Sequence, residues 1–203
     1  MTFEMVNIKS FGMNKIIKSI TSRTLLILGL LMIFACAQTD KKNQGENIIE
    51  EPVSAPDFSL PTLNGETIDL KSYRGKFVVL HIATTWCPFC NAEAPHLEDL
   101  FQDYKDKNVA VLLMDVKEPK ELVEEKLQSK YNLTFPILLD TDGAVAASFA
   151  PKDVLPDLSR DEVMLASNIL IDTEGNIRFM SLLDSKNFDA ELKALKKHLD
   201  ELL

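Results

Sequence analysis

Residues Phe77 to Ala83 are apolar except for His81, the pattern of a strand covered on both faces of a sheet. Ala94, Leu97, Leu100, Phe101 and Tyr104 then recur at helical spacing up to a polar break at residues 105–108, with Pro95 inside the predicted helix as a source of a kink. Val109 to Val116 reads as a second buried strand, Lys120 to Tyr131 as an amphipathic helix and Phe135 to Leu139 as a shorter strand. Strand and helix alternate, which predicts an α/β domain with parallel strands joined by crossover helices. Asp142-Gly143 marks a turn before a short helix at residues 144–149, and the stretch from Ala150 to Glu162, broken by Pro151 and Pro156, reads as a long loop. Val163 to Asp172 and Ile177 to Leu183 form a predicted strand pair around Glu174-Gly175-Asn176, followed by a C-terminal amphipathic helix from Phe188 to Leu203. Ahead of the main pattern, Val53 to Leu60 reads as an edge strand interrupted by Pro56. The Asn64-Gly65 turn and Thr67 to Leu70 complete a hairpin, and a short helical turn closes at Gly75.

The N-terminal pattern is of another kind. Lys15, Lys18 and Arg23 precede an apolar run from Leu25 to Ala35 that ends at Cys36, the order of a secretory signal and far short of the ~20 residues that a membrane span needs. A signal starting at Met13 has normal length, so the residues before it read as an upstream extension. Ile33-Phe34-Ala35-Cys36 resembles the lipobox of bacterial lipoproteins. That resemblance implies acylation of Cys36 and a lipid anchor in the cell envelope, facing the periplasm or the exterior. The alternative is an unmodified Cys36 in a buried or signal-anchor helix. Ala37 to Glu51 is polar and reads as a tether, so the expected division is a removed signal at 1–35, a flexible tether at 36–51 and a folded domain at 52–203.

An apolar fraction of 46% is enough for a core, and three cysteines are too few for a disulfide scaffold. Removing residues 1–35 takes four basic residues and Glu4, so 22 basic and 31 acidic residues become 18 and 30, a net charge of −12. So acidic a domain repels nucleic acid and anionic headgroups, and its attachment to a membrane would rest on the anchor.

The remaining cysteines stand in Trp86-Cys87-Pro88-Phe89-Cys90, where the apolar strand gives way to the helical pattern. Two cysteines three apart across a first helical turn can close a small ring, and the unpaired N–H groups of that turn favour a thiolate on the first. Pro88 suits the first helical turn, and Phe89 adds bulk without a donor to sulfur, which leans toward a reductant or a moderate redox couple.

Trp86, Cys87, Cys90, Glu93, Pro95 and Leu97 resemble the W-C-x-x-C-x-x-E-x-P-x-L signature of TlpA/ResA-type thiol-disulfide reductases, within the thioredoxin and AhpC/TSA superfamily. Ile169-Leu170-Ile171-Asp172 with Gly175 and Ile177 resembles that family's second block. The resemblance implies a thioredoxin fold, a central mixed sheet flanked by helices, with an N-terminal β-hairpin extension. It implies Cys87 as an exposed attacking thiol, Cys90 as the buried resolving thiol and Trp86 as part of the docking surface. Protein disulfides or dithiols would be the substrates, a membrane electron donor of unidentified nature a partner, and the Cys87–Cys90 disulfide the redox group, with no other cofactor or metal. Glu93 stands where a carboxylate influences the proton of Cys90 or meets the partner; otherwise it is a solvated helix glutamate.

Two positions depart from that family. His81 replaces the buried acid or asparagine expected six residues before the dithiol. It is either a group that moves the proton of Cys90 or a neutral core histidine bonded to backbone. Ala166 stands where a cis-proline would face the dithiol, which predicts a trans peptide after Leu165. A peroxiredoxin-like thiol peroxidase is an alternative, since Thr84 lies three residues before Cys87. That motif's proline and arginine would fall at Leu80 and Ala166, leaving nothing to polarise a peroxide. A non-catalytic binding lipoprotein on the same fold is the third reading.

Overall fold

The computed structural model describes residues 46–203, with the backbone alone over 46–52. The signal at 1–35 and Cys36 lie outside the described residues. Eight strands are present among them: β1 Glu46–Ser54, β2 Ser59–Pro61, β3 Thr67–Asp69, β4 Phe77–Ala83, β5 Val109–Val116, β6 Ile137–Asp140, β7 Ser167–Ile171 and β8 Asn176–Ser181. The helices are α1 Pro88–Tyr104, α2 Lys120–Val123 continued as a π-helical segment over Glu124–Ser129, α3 Ala144–Phe149, α4 Arg160–Val163 and α5 Lys193–Leu202.

Six strands form one sheet in the order β1-β8-β7-β4-β5-β6, with β5 parallel to β4, β6 parallel to β5, and the other pairs antiparallel. The uninterrupted apolar run of β4 follows from its central place, with β5 on one side and β7 on the other. Its side chains alternate between two apolar layers. Val79 and Ala83 meet Leu97 and Leu100 of α1, Leu113, Leu170 and Phe179, whereas Val78, Leu80 and Ile82 meet Leu112, Met114, Ile169, Ile171 and Phe149. His81 has the parity of Val79 and so points to the α1 side.

The expected hairpin is β2 paired with β3, its turn carried by Gly65 at φ 85°, a value that glycine adopts without the Cβ penalty. A Thr62–Leu138 bridge and a bond from Leu63 N to Ile137 O (3.1 Å) tie the hairpin to β6.

Several boundaries differ from the sequence pattern. The strand read over Val53 to Leu60 divides, Val53 and Ser54 ending β1 and Ser59 and Leu60 opening β2; residues 160–162, read as loop, open α4; and the strand read from Phe135 starts at Ile137. Residues 46–51, read as tether, belong to β1, whose backbone pairs the edge of β8 that would otherwise be left open. The strand read as starting at Val163 starts at Ser167, because Ala166 takes a left-handed conformation (φ 58°) and gives its N–H to Ile82 O at 2.8 Å. The C-terminal helix begins at Lys193 and not at Phe188: Leu192 is left-handed (φ 57°), and Asp189 accepts the N–H of Ala194 at 2.9 Å. The 150–162 loop is clasped by Arg160, which donates to Val154 O at 2.9 Å and also to Pro151 O. Among the described residues, no helix is long and apolar enough to cross a membrane.

Candidate active site

The end of β4 delivers the chain into Thr84-Thr85-Trp86, and α1 opens with Cys87 as its N-cap and Pro88 at the first helical position, where a missing N–H costs nothing. The sulfur of Cys87 accepts the backbone N–H of Cys90 at 3.3 Å. Glu118 holds the approach to this turn by accepting both the N–H and, at 2.6 Å, the hydroxyl of Thr85. Asn91 holds the other side, its amide donating to Thr85 O (2.8 Å) and Cys87 O (2.7 Å). Its oxygen is fixed in turn by the Tyr131 hydroxyl at 2.7 Å. The dithiol therefore sits in a turn tied from both flanks.

Both cysteines are free thiols, and their environments push them apart. A hydrogen bond from the Cys90 thiol lowers Cys87 to about 6; burial opposes this, and the N–H groups of Cys90 and Phe89 add to it. The same thiol–thiol bond, burial, and the negative charges of Cys87 and Glu93 raise Cys90 well above the ordinary thiol range. This is the asymmetry of a nucleophile beside a resolving thiol. The expectation of an exposed Cys87 needs correction: 4% of its surface is accessible, against 1% for Cys90, because the N-cap position draws it into the apolar layer with Ala83, Leu97 and Ala166. Exposure belongs to its neighbour Trp86, at 66%. Phe89 packs edge-on against Phe188, with ring centroids 4.9 Å apart.

Glu93 is not a solvated helix glutamate. It is 3% exposed, and burial raises it to about 8, although the amide of Asn168 donates to its Oε1 at 2.8 Å. His81 is fully buried, and Nδ1 lies 3.0 Å from Asn168 Oδ1. Since that oxygen only accepts, the imidazole carries its proton on Nδ1. Burial lowers His81 to about 4, so its approach to Glu93 Oε2 at 3.7 Å is not an ion pair near neutral pH. Its Nε2 has no hydrogen-bond partner, so neither ring nitrogen bonds to a thiol. Ala166 lies in the same apolar layer as both cysteines, and among the described residues no peptide bond is cis, as expected after Leu165.

Asn168, Asn91 and Glu118 were not singled out in the sequence. Asn168 left a trace there, as a polar residue just before the apolar run Ile169–Ile171; Glu118 left none. Among the described residues, no group of three or more histidine, cysteine, aspartate or glutamate side chains could hold a metal ion.

A helix-capping dithiol with split acidities, on a mixed sheet flanked by helices, defines a thioredoxin-fold thiol enzyme. Residues 53–180 match the AhpC/TSA family, to which the chain belongs. Within it, the chain is 33% identical over 145 residues to the thiol-disulfide oxidoreductase ResA of Geobacillus kaustophilus (strain HTA426), covering 70% of this chain and 76% of that protein. It is 31% identical over 159 residues to ResA of Bacillus subtilis (strain 168), covering 76% and 82%. A secreted Mycobacterium tuberculosis disulfide oxidoreductase, described as homologous to E. coli DsbE, superposes with a TM-score of 0.56 at 26% identity, over 71% of this chain and 95% of that one. The protein is an enzyme of the thiol-disulfide oxidoreductase class.

Proposed function

We propose that this enzyme works outside the cytoplasm, tethered to a bacterial membrane through an acylated Cys36, and reduces protein disulfides with Cys87 and Cys90. The observation that carries the chemistry is the helix-capping dithiol: Cys87 Sγ accepts the Cys90 N–H at 3.3 Å at the start of α1, an arrangement that lowers Cys87 and raises Cys90. At neutral pH the Cys87 thiolate attacks a substrate disulfide, forming a Cys87–substrate disulfide and expelling the substrate's other sulfur as thiolate. Cys90 then gives up its proton, with Glu93 as the nearby acceptor, and its sulfur attacks Cys87. The Cys87–substrate bond breaks, the substrate leaves reduced by two electrons, and Cys87–Cys90 is left as the disulfide. A membrane electron donor would restore the dithiol.

Pro88 and Phe89 add no side-chain donor to the Cys87 sulfur, which supports a reductant or moderate couple. Trp86, exposed beside the dithiol, suits contact with a protein partner. The secreted relative and the signal-like N-terminus support the location.

Insulin reduction by the wild type, lost in Cys87→Ser and run beside peroxide consumption, tests the chemistry. Turnover of peroxide with no disulfide exchange would favour the peroxidase instead, and a reduction potential near −120 mV would overturn the assignment as reductant. Mass spectrometry of the membrane-extracted protein tests the tether: the expected mature chain begins at acylated Cys36, and one retaining earlier residues overturns it.

A further inference from the structure

Under the dithiol, three side chains from three elements are joined in a row. His81 of β4 and Asn168 of β7 are cross-strand partners in the sheet register, and their side chains point toward α1. There His81 Nδ1 donates to Asn168 Oδ1 at 3.0 Å, and Asn168 Nδ2 donates to Glu93 Oε1 at 2.8 Å. Glu93 Oε2 and His81 Nε2 are buried without hydrogen-bond partners. With its oxygen toward the imidazole and its nitrogen toward the carboxyl, the asparagine amide has both ends satisfied.

We propose that Asn168 is a positioning residue for the exchange reaction: bonded to His81, it holds Oε1 of Glu93 and so fixes the buried carboxyl one helical turn from Cys90, whose proton that carboxyl takes and returns. This rests on the reading of Cys87 and Cys90 as the exchanging pair. In the resolving step the Cys90 S–H bond breaks, its proton passes to the Glu93 carboxylate, and the Cys90 sulfur displaces the substrate thiolate from Cys87. When the Cys87–Cys90 disulfide is later reduced, the Glu93 carboxyl returns the proton to the leaving Cys90 sulfur. Asn168 and His81 exchange nothing and hold the carboxyl still.

The groups that face Glu93 are few. They are Cys87 and Cys90 on its own helix, neutral His81 from β4, and Asp189 from the segment before α5. Asp184 lines the same cavity of about 120 Å³, which Glu93, Ala166, Asn168 and exposed Asn187 also border. Burial, the Cys87 charge and Asp189 oppose ionisation of Glu93, and the Asn168 amide favours it, so the amide keeps a fraction of Glu93 ionised near neutral pH.

The test compares wild type, Asn168→Leu and His81→Phe. Carbon-13 NMR of the Glu93 carboxyl follows its titration, and single-turnover release of substrate from a Cys87 mixed disulfide follows the chemistry. Loss of the amide donor should raise the Glu93 midpoint by about one pH unit and move the rate profile upward with it, an approximately tenfold slower release at pH 7. His81→Phe, which frees the amide to turn, should move both in the same direction by less, and the double variant should not exceed Asn168→Leu. If Asn168→Leu does not fold, His81→Phe alone decides. A wild type active in exchange whose Glu93 midpoint stays put in the folded variants overturns the proposal and leaves the function standing. A wild type without exchange at Cys87 overturns both.

Discussion

The two faces of the central sheet are built on opposite terms. Away from α1, Val78, Leu80 and Ile82 lie among Leu112, Met114, Ile169 and Ile171. Where Ser167 joins that layer, its hydroxyl donates to Met164 O at 2.6 Å, and the buried carboxylate there, Asp140 at the end of β6, accepts the N–H of Ala146 at 2.7 Å, away from the thiols. Toward α1, the same strands bury His81, Asn168 and Glu93 among the leucines. Burying such groups costs stability unless each finds a partner, and here two polar atoms find none. One face stabilises the fold, and the other gives up part of that stability to keep groups that exchange protons next to a thiol.

The largest effect should come from Cys87→Ser, which removes the nucleophile: disulfide exchange falls by ~10³-fold or more while the unfolding midpoint in urea moves little. Leu80→Ala on the apolar face should do the reverse. Its side chain is fully buried, and the cavity costs about 3 kcal/mol in urea denaturation, with the pH profile of Cys87 alkylation unchanged. Equal damage to exchange chemistry from Leu80→Ala would break the contrast.

Proton linkage gives the next two. Glu93 titrates at about 8 when folded and near 4.5 when unfolded, so its contribution to stability is full below pH 4.5 and is lost as pH rises toward 8. Glu93→Gln should flatten the fall in stability between pH 5 and 8.5 by on the order of 2 kcal/mol, and slow the resolving step. Asp115, raised to about 8 by burial and by the neighbouring Glu118, should retain a similar slope in that variant. His81 runs the other way: 6.5 unfolded and about 4 folded, its contribution is present above pH 6.5 and is lost as pH falls toward 4. His81→Phe should soften acid unfolding over that window, by a smaller amount because Asn168 Oδ1 loses its donor. Smallest of all, Trp86→Ala should change stability by less than about 0.5 kcal/mol, while raising KM for protein disulfides more than for a small disulfide.

The dithiol and the strands beside it were legible because their signals are local: an apolar run, a helical period, and a Cys-x-x-C at their junction. The central strand and the residue span of β5 were read as they stand in the structure. Glu93 and His81 could be singled out by position, but their states could not. Whether Glu93 faces water or Asn168 depends on the register of β4 against β7, strands whose partners His81 and Asn168 are 87 residues apart in sequence. Ala166 shows the same limit. Its place opposite the dithiol could be counted from the apolar block, yet the left-handed turn that starts β7 one residue later is set by the bond to Ile82 O. The edge strand β1 was hidden because its polar composition reads as a linker, and only a neighbouring strand edge turns such a segment into sheet.

Trp86 is the protein's single tryptophan, and it stands exposed directly before the sulfur that forms the mixed disulfide. Its indole is thus a built-in optical gauge: all of the tryptophan emission arises next to the dithiol. Disulfide formation, partner docking and release should each change one fluorescence signal, with no label and no competing tryptophan elsewhere in the chain.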